Sequence, residues 1–248
     1  MSSPVATLRR AFHLLKSRSA GDGHDYWEQQ IRPGHRRDTA EYYEEHAADL
    51  RLLFGNKGSG DTLELCCGSG ALYSYLRFDS ARYTGVDFSS SMLAEFARAH
   101  PELNLHCADV ASYIDAKQYD LILMEFSAQH FRLEQLAQVF QNVRRMMRPD
   151  SLFVCSTVPW RQARWDFYGQ VLSPPYRTER THLFRAKTKA LLGIRDQIGS
   201  WFNPDEINRI AAQAGLLPQY YGCHSYPYRF HVVFMPLTAA GQIQLTRG

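Results

Sequence analysis

From residue 60 to residue 157, short apolar runs alternate with amphipathic stretches. The runs at 62–65, 82–86, 103–107, 120–124 and 151–156 predict strands. The run at 120–124, Asp-Leu-Ile-Leu-Met, is nearly all apolar, as expected for a strand covered on both faces. Between the strands, residues 71–76, 90–100 and 134–147 have helical spacing, with Ser89 or Ser90 as an N-cap and Pro101 just past one end. Pro149-Asp150 predicts a turn into the fifth strand. Repeated strand–helix–strand units imply an α/β fold: a doubly wound, mostly parallel sheet with helices on both faces.

Both ends of the chain carry further patterns. Asn203-Pro204-Asp205-Glu206 is a helix start, with a capping Asn, a Pro at the first position and an acid at the third. That helix runs to Ala214 and stops at Gly215, and two strands follow at 216–224 and 230–235. Upstream, Leu8, Ala11, Phe12 and Leu15 share one helical face, and Gly21-Asp22-Gly23 ends that stretch. A second helix is expected over 39–54, with Tyr42, Tyr43, Ala47, Leu50 and Leu53 on one face, and 55–60 reads as a loop. The expected organisation is an N-terminal helical cap over 1–56 and a main domain over 57–248.

Composition narrows the class only a little. A chain of 248 residues suits one elaborated domain. No apolar run reaches a membrane-spanning length, and the N-terminus lacks the pattern of a signal peptide. The five cysteines, Cys66, Cys67, Cys107, Cys155 and Cys223, are odd in number and mostly lie in strand-like runs. Reduced, buried thiols and a cytoplasmic location are the expectation. No zinc spacing occurs, and no metal is expected. The net charge of +3 is too small to imply nucleic acid by itself.

The stretch Glu64-Leu65-Cys66-Cys67-Gly68-Ser69-Gly70 carries the chemical signal. A strand that stops at a glycine turn and restarts as a helix builds a pocket at the sheet's carboxyl edge, where backbone can approach a ligand. Seventeen residues after Gly70, the second strand ends in Asp87, placed to hold ribose hydroxyls. The dinucleotide fingerprint fails at Tyr73, which argues against NAD or FAD. These residues resemble the first two motifs of the class I, Rossmann-like S-adenosylmethionine-dependent methyltransferases, small-molecule type. Cys66 departs from that pattern, which has glycine there.

The resemblance covers about 60–157 and 200–237. It implies seven strands closed by an antiparallel C-terminal hairpin, and S-adenosyl-L-methionine as cofactor. By the resemblance, Glu64, Cys66, Gly68 and Gly70 would lie along the methionine part. Asp87 would hold the ribose, Met92 would pack on adenine, and Asp109 with Val110 would meet the adenine edge. The resemblance also brings the loop Glu125-Phe126-Ser127-Ala128-Gln129-His130 to the transferable methyl. Glu125 there would line the amino-acid end of the cofactor. His130 has the ordinary pKa of a general base and is the candidate catalytic residue.

Residues 158–200 form an insert over the same edge, expected to act as a lid. From Trp160 to Arg195 it carries Arg161, Arg164, Arg177, Arg180, Arg185, Lys187, Lys189 and Arg195 against Asp166 and Glu179. Aromatic residues are interleaved, and Trp160, Arg164 and Tyr168 are the candidate acceptor contacts. The leading expectation is methyl transfer to a small acceptor, anionic in one reading: a sugar, a lipid-linked intermediate or a specialised metabolite. Oxygen is slightly favoured as the accepting atom because of His130. An RNA methyltransferase using the basic insert is the alternative, and nucleic acid is the less favoured partner. A protein that binds the cofactor and transfers nothing is the other. The N-terminal basic helix either docks on the main domain or touches a membrane surface. Oligomeric state is left open.

Overall fold

The computed structural model describes residues 39–167 and 198–237. The 8–16 helix, Tyr168 and the basic residues from Arg177 onward lie outside the described residues.

The described chain opens with helix α1 (Ala40–Phe54), capped by the Thr39 hydroxyl, which accepts from the Tyr42 amide. Strands and helices then alternate: β1 (Thr62–Leu65), α2 (Tyr73–Leu76), β2 (Tyr83–Asp87), α3 (Ser90–Ala99), β3 (Asn104–Cys107), β4 (Tyr119–Met124), α4 (Leu133–Met146) and β5 (Met147–Pro159). Helix α5 (Pro204–Ala214), β6 (Leu216–Gly222) and β7 (Arg229–Pro236) complete it. The seven strands lie in the order β3-β2-β1-β4-β5-β7-β6. All pairings are parallel except β5–β7 and β6–β7.

Each face is sealed by a separate apolar layer. Leu136, Val139, Phe140 and Val143 of α4, with Ile207 and Ile210 of α5, pack on Ile122, Phe153 and Phe234. On the other face Ala47, Leu50 and Phe54 of α1 meet Leu121, Leu123, Val154 and Val233. Successive β4 residues therefore feed opposite layers, which is why 120–124 reads as unbroken apolar sequence. Burying one such Leu or Phe side chain contributes about 2 kcal/mol. Helix α1 is thus half of one face of the core.

Three local differences from the sequence reading have physical causes. Strand β5 starts at Met147, and Pro149-Asp150 forms an exposed irregularity inside it, where the register with β4 shifts between Tyr119 and Leu121. The Ser151 hydroxyl bridges it, accepting from the Arg148 amide and donating to the Tyr119 carbonyl. Residues 55–59 form a 3-10 turn rather than open loop. The expectation of buried thiols fails at Cys107, which is exposed because β3 is an edge strand. All five cysteines are free thiols.

Candidate functional site at the carboxyl edge

At β1's carboxyl end the backbone turns over itself. Cys66, Gly68 and Gly70 all have left-handed φ values, 60°, 55° and 75°. A Cβ on Gly70 would lie 2.2 Å from the Phe96 ring, and one on Gly68 would press on Met92 Cε at 3.1 Å. Both glycines are therefore required by geometry. Cys66 carries a side chain in a conformation that costs an L-residue about 1–2 kcal/mol. Its burial and the nearby Asp87 carboxylate push its thiol pKa up, so it stays neutral.

Asp87 closes the turn. Its two carboxylate oxygens accept from the Gly68 amide at 2.9 Å and the Ser89 amide at 2.9 Å. Both oxygens face the end of β2, where a carboxylate is the residue type that binds a diol. Glu64 is buried below, accepting from the Tyr83 hydroxyl at 2.6 Å. Desolvation raises its pKa to about 7, opposed by the Tyr83 bond and assisted by Glu125 and Asp87.

The second wall is α3 and the end of β3. Met92 stands in the first turn of α3, where the Ser89 hydroxyl caps its amide. Asp109 is exposed and turns its carboxylate onto the Ala111 amide at 2.9 Å, while Val110 is buried beside it. Glu64, Cys66, Gly68, Gly70, Asp87 and Met92 thus share the edge formed by β1, β2 and α3, and Asp109 and Val110 follow β3 next to it.

The third wall is the β4 loop. Glu125 is 7% exposed, and its Oε1 accepts from His46 Nε2 at 2.6 Å and from the Thr157 hydroxyl at 3.0 Å. Its Oε2 is buried with no partner, as are His46 Nδ1 and Arg229 Nε. The Ser127 hydroxyl donates to the Glu125 carbonyl, and β4 lies beside β1, with Met124 paired to Leu65 next to the glycine turn. Arg229, buried on β7, donates to the Thr157 carbonyl and to Gln129 Oε1, with its guanidinium over the Phe126 ring at 5.1 Å. His130 is exposed on a 3-10 turn (Ala128–His130), its Nε2 3.5 Å from Gln129 Nε2.

The acceptor candidates sit at the two described ends of the insert. Trp160 pairs with Phe202 in a single parallel bridge, and its indole Nε1 is buried without a partner. Arg164 lies over the Trp201 ring at 5.8 Å, and Tyr168 lies outside the described residues. Gly199 and Ser200 run against the β4 loop: the Ser200 amide donates to the Gln129 carbonyl, and a Cβ on Gly199 would lie 2.3 Å from that oxygen.

Sequence reasoning missed His46, Thr157, Arg229 and His231. His46 was findable as the one polar residue on the Tyr42–Ala47–Leu50 face, and His231 as the one polar residue inside Phe230–Phe234. Nothing in the sequence marks Thr157 or Arg229. Among the described residues no cluster of His, Cys, Asp and Glu has the arrangement of a metal site, and no helix is long and apolar enough to cross a membrane.

Comparison with known proteins adds a partial match to a family. Residues 62–150 match the family described as Methyltransferase domain. The dTDP-4-amino-2,3,4,6-tetradeoxy-D-glucose N,N-dimethyltransferase of Saccharopolyspora spinosa is 28% identical over 100 residues, 40% of this chain and 39% of that protein. The match therefore spans well under half the length of this curated relative. Two solved structures share the fold. CalS10, an amino pentose methyltransferase from Micromonospora echinaspora, is 16% identical with a TM-score of 0.56, covering 80% of this chain and 93% of that one. The sugar N-methyltransferase KedS8 from Streptoalloteichus sp ATCC 53650 is 16% identical with a TM-score of 0.56, covering 82% and 89%. The strand order and the glycine turn agree with the match over 62–150: the chain has the class I, Rossmann-like fold of these structures, and that stretch is similar to a methyltransferase domain.

Proposed function

We propose that this chain transfers a methyl group from S-adenosyl-L-methionine to a small, sugar-like acceptor. The observation that carries the reading is the turn at Cys66–Gly70, left-handed at three positions and held shut by Asp87. When bound, S-adenosylmethionine supplies an electrophilic methyl on a sulfonium. The residues fit that group. The two glycines allow the tight turn, since a Cβ there would meet Phe96 or Met92, and Asp87 at the end of β2 is the carboxylate proposed to bind the ribose diol. Glu64 and Glu125 give the edge the negative character that a cationic ligand requires.

Met92 takes the adenine face, Asp109 and the Val110 backbone take its edge, and Glu64, Cys66 and Glu125 flank the methionine end. The chain's remaining task is alignment and exclusion of water. Residues 158–200, with Trp160, Arg164 and Tyr168, are proposed as the acceptor lid, and residues 1–56 as the cap. His130 is the proposed base. A hydroxyl acceptor must lose a proton as the methyl arrives, and His130 takes it. An amine that arrives neutral makes no such demand. Support for a sugar comes from the relatives, whose described acceptors are amino sugars.

Calorimetry with S-adenosylmethionine and S-adenosylhomocysteine, with NAD as control, tests the cofactor. Micromolar binding of the first two and none of NAD is expected, and binding of NAD alone would overturn the reading. A screen of hydroxy- and amino-sugar nucleotides then tests the acceptor. His130→Ala is expected to cost about 10²–10⁴-fold with a hydroxyl acceptor and far less with an amine. Equal, small losses on both would remove His130 from the base role.

A further inference from the structure

One polar chain crosses the carboxyl edge and ties four elements together. His46, 1% exposed, reaches from α1 to Glu125 Oε1 at the end of β4. The Thr157 hydroxyl of β5 donates to that same oxygen and accepts the Phe126 amide at 3.0 Å. The Thr157 amide donates to His231 Nδ1 of β7 at 3.3 Å. Rings reinforce the chain: Tyr42 stacks on His46, His46 lies 5.4 Å from Phe126, and the Tyr42 and Tyr226 hydroxyls bond at 2.7 Å.

The two residues at its centre are conformationally costly. Phe126 has φ 47° and Thr157 has φ 50°, and neither is a glycine. Such residues cost about 1–3 kcal/mol each and persist only where the surroundings over-determine them. Here the determinants are the bonds to Glu125 and Thr157, and the first of those has its charged partner on α1. The loop starts where Met124 pairs with Leu65, one residue before the glycine turn, and ends at His130.

Resting on the methyl-transfer reading above, we propose that His46 is a positioning residue: through Glu125 and Thr157 it holds the Phe126–His130 loop against the glycine turn. The structure gives this link a pH dependence. The ionisable groups around His46 are Glu125 from β4, Asp49 and Tyr42 from α1, Tyr226 from the hairpin, and Arg229 and His231 from β7. Burial lowers the His46 pKa, but the Glu125 charge and hydrogen bond outweigh it, and the net shift is upward. The charged link is complete below the ordinary histidine range and is lost as pH rises through the folded value.

Hydrogen exchange across 125–131 and S-adenosylhomocysteine affinity from pH 6 to 9, in wild type, His46→Ala and His46→Gln, test the proposal. In His46→Ala the loop amides are expected to lose about tenfold in protection and the nucleoside about tenfold in affinity, a change of roughly 1.4 kcal/mol. His46→Gln, whose side-chain amide still donates to Glu125, is expected to restore both and to abolish the weakening expected of wild type toward high pH. Unchanged loop exchange in His46→Ala, or a wild-type pH profile in His46→Gln, would overturn it. If His46→Ala does not fold, Glu125→Gln reads the link from the other side. The His46 ring, followed by NMR, should then titrate at lower pH, and an unmoved titration would refute the coupling. If wild type binds no nucleoside, the methyl-transfer reading falls while the exchange data still decide the latch.

Discussion

The two edges of this sheet are built from the same residue types and handle them in opposite ways. At the amino edge, Asp61 and Asp120 face Arg148, Lys117 and Arg82, and Arg148 meets both acids, at 2.8 and 2.6 Å. The Asp120 carboxylate also accepts the Asp61 amide at 2.7 Å. At the carboxyl edge, Glu125, His46 and Arg229 are more deeply buried, yet each keeps one buried atom without a partner. Left-handed non-glycine residues cluster there too: Cys66, Phe126 and Thr157. A fold that can finish its ion pairs at one end and leaves them unfinished at the other has placed strain at the edge proposed to handle the ligand.

Asp87 offers the largest way to break the comparison. Asp87→Ala removes acceptors for two backbone amides and the proposed ribose contact. S-adenosylhomocysteine affinity should fall at least about a hundredfold by calorimetry, against no change for Asp61→Ala at the other edge. Next is Gly70→Ala. Its Cβ would overlap the Phe96 ring in a left-handed turn, so thermal unfolding should register a loss of about 3 kcal/mol.

The edges should also part company in their response to pH. Hydrogen bonding from Arg148 is the leading cause that holds Asp61 below the ordinary carboxylate range. Its folded pKa is depressed, so its stabilisation is present above about pH 4 and is lost in acid. Glu64 runs the other way. Its folded pKa of about 7 lies above the unfolded value, so stability is highest near pH 4.5 and falls as pH rises toward 7. The span is on the order of 3 kcal/mol. Glu64→Gln should therefore be more stable than wild type at pH 8 and level with it at pH 4.5, measured by urea unfolding. A cationic nucleoside should also expel a proton from Glu64 near neutrality. Calorimetry of S-adenosylmethionine binding in buffers of different ionisation enthalpy would detect it, and buffer-independent heats would refute it.

Two smaller effects complete the set. Arg148→Ala should cost about 1 kcal/mol, as expected for a partly exposed network, and leave nucleoside binding untouched. Cys66→Gly should stabilise by about 0.5 kcal/mol, since relief of left-handed strain is partly offset by glycine's freedom in the unfolded chain.

What was legible in the sequence was local or periodic. The five parallel strands, the capped start of α5 and the glycine turn with Asp87 each rest on residues close in the chain. The turn at Pro149-Asp150 was chemically right but lies within a strand, because the register shift that absorbs it depends on β4. The polar chain His46–Glu125–Thr157–His231 joins residues as much as 185 positions apart. No spacing rule addresses such a set, because tertiary packing alone brings it together.

The insert's two described ends have a consequence of their own. Trp160 bridges to Phe202, Arg161 donates to the Trp201 carbonyl, and Phe167 packs on Trp201. The two described ends are thus fastened to one point on the scaffold. Where two chain ends are held together, doubling the length between them costs only about 0.6 kcal/mol. The stretch between Phe167 and Ile198 is consequently a natural cassette. Grafting the corresponding stretch from a relative with another acceptor should exchange specificity while the sheet, its glycine turn and the α1 latch stay as they are.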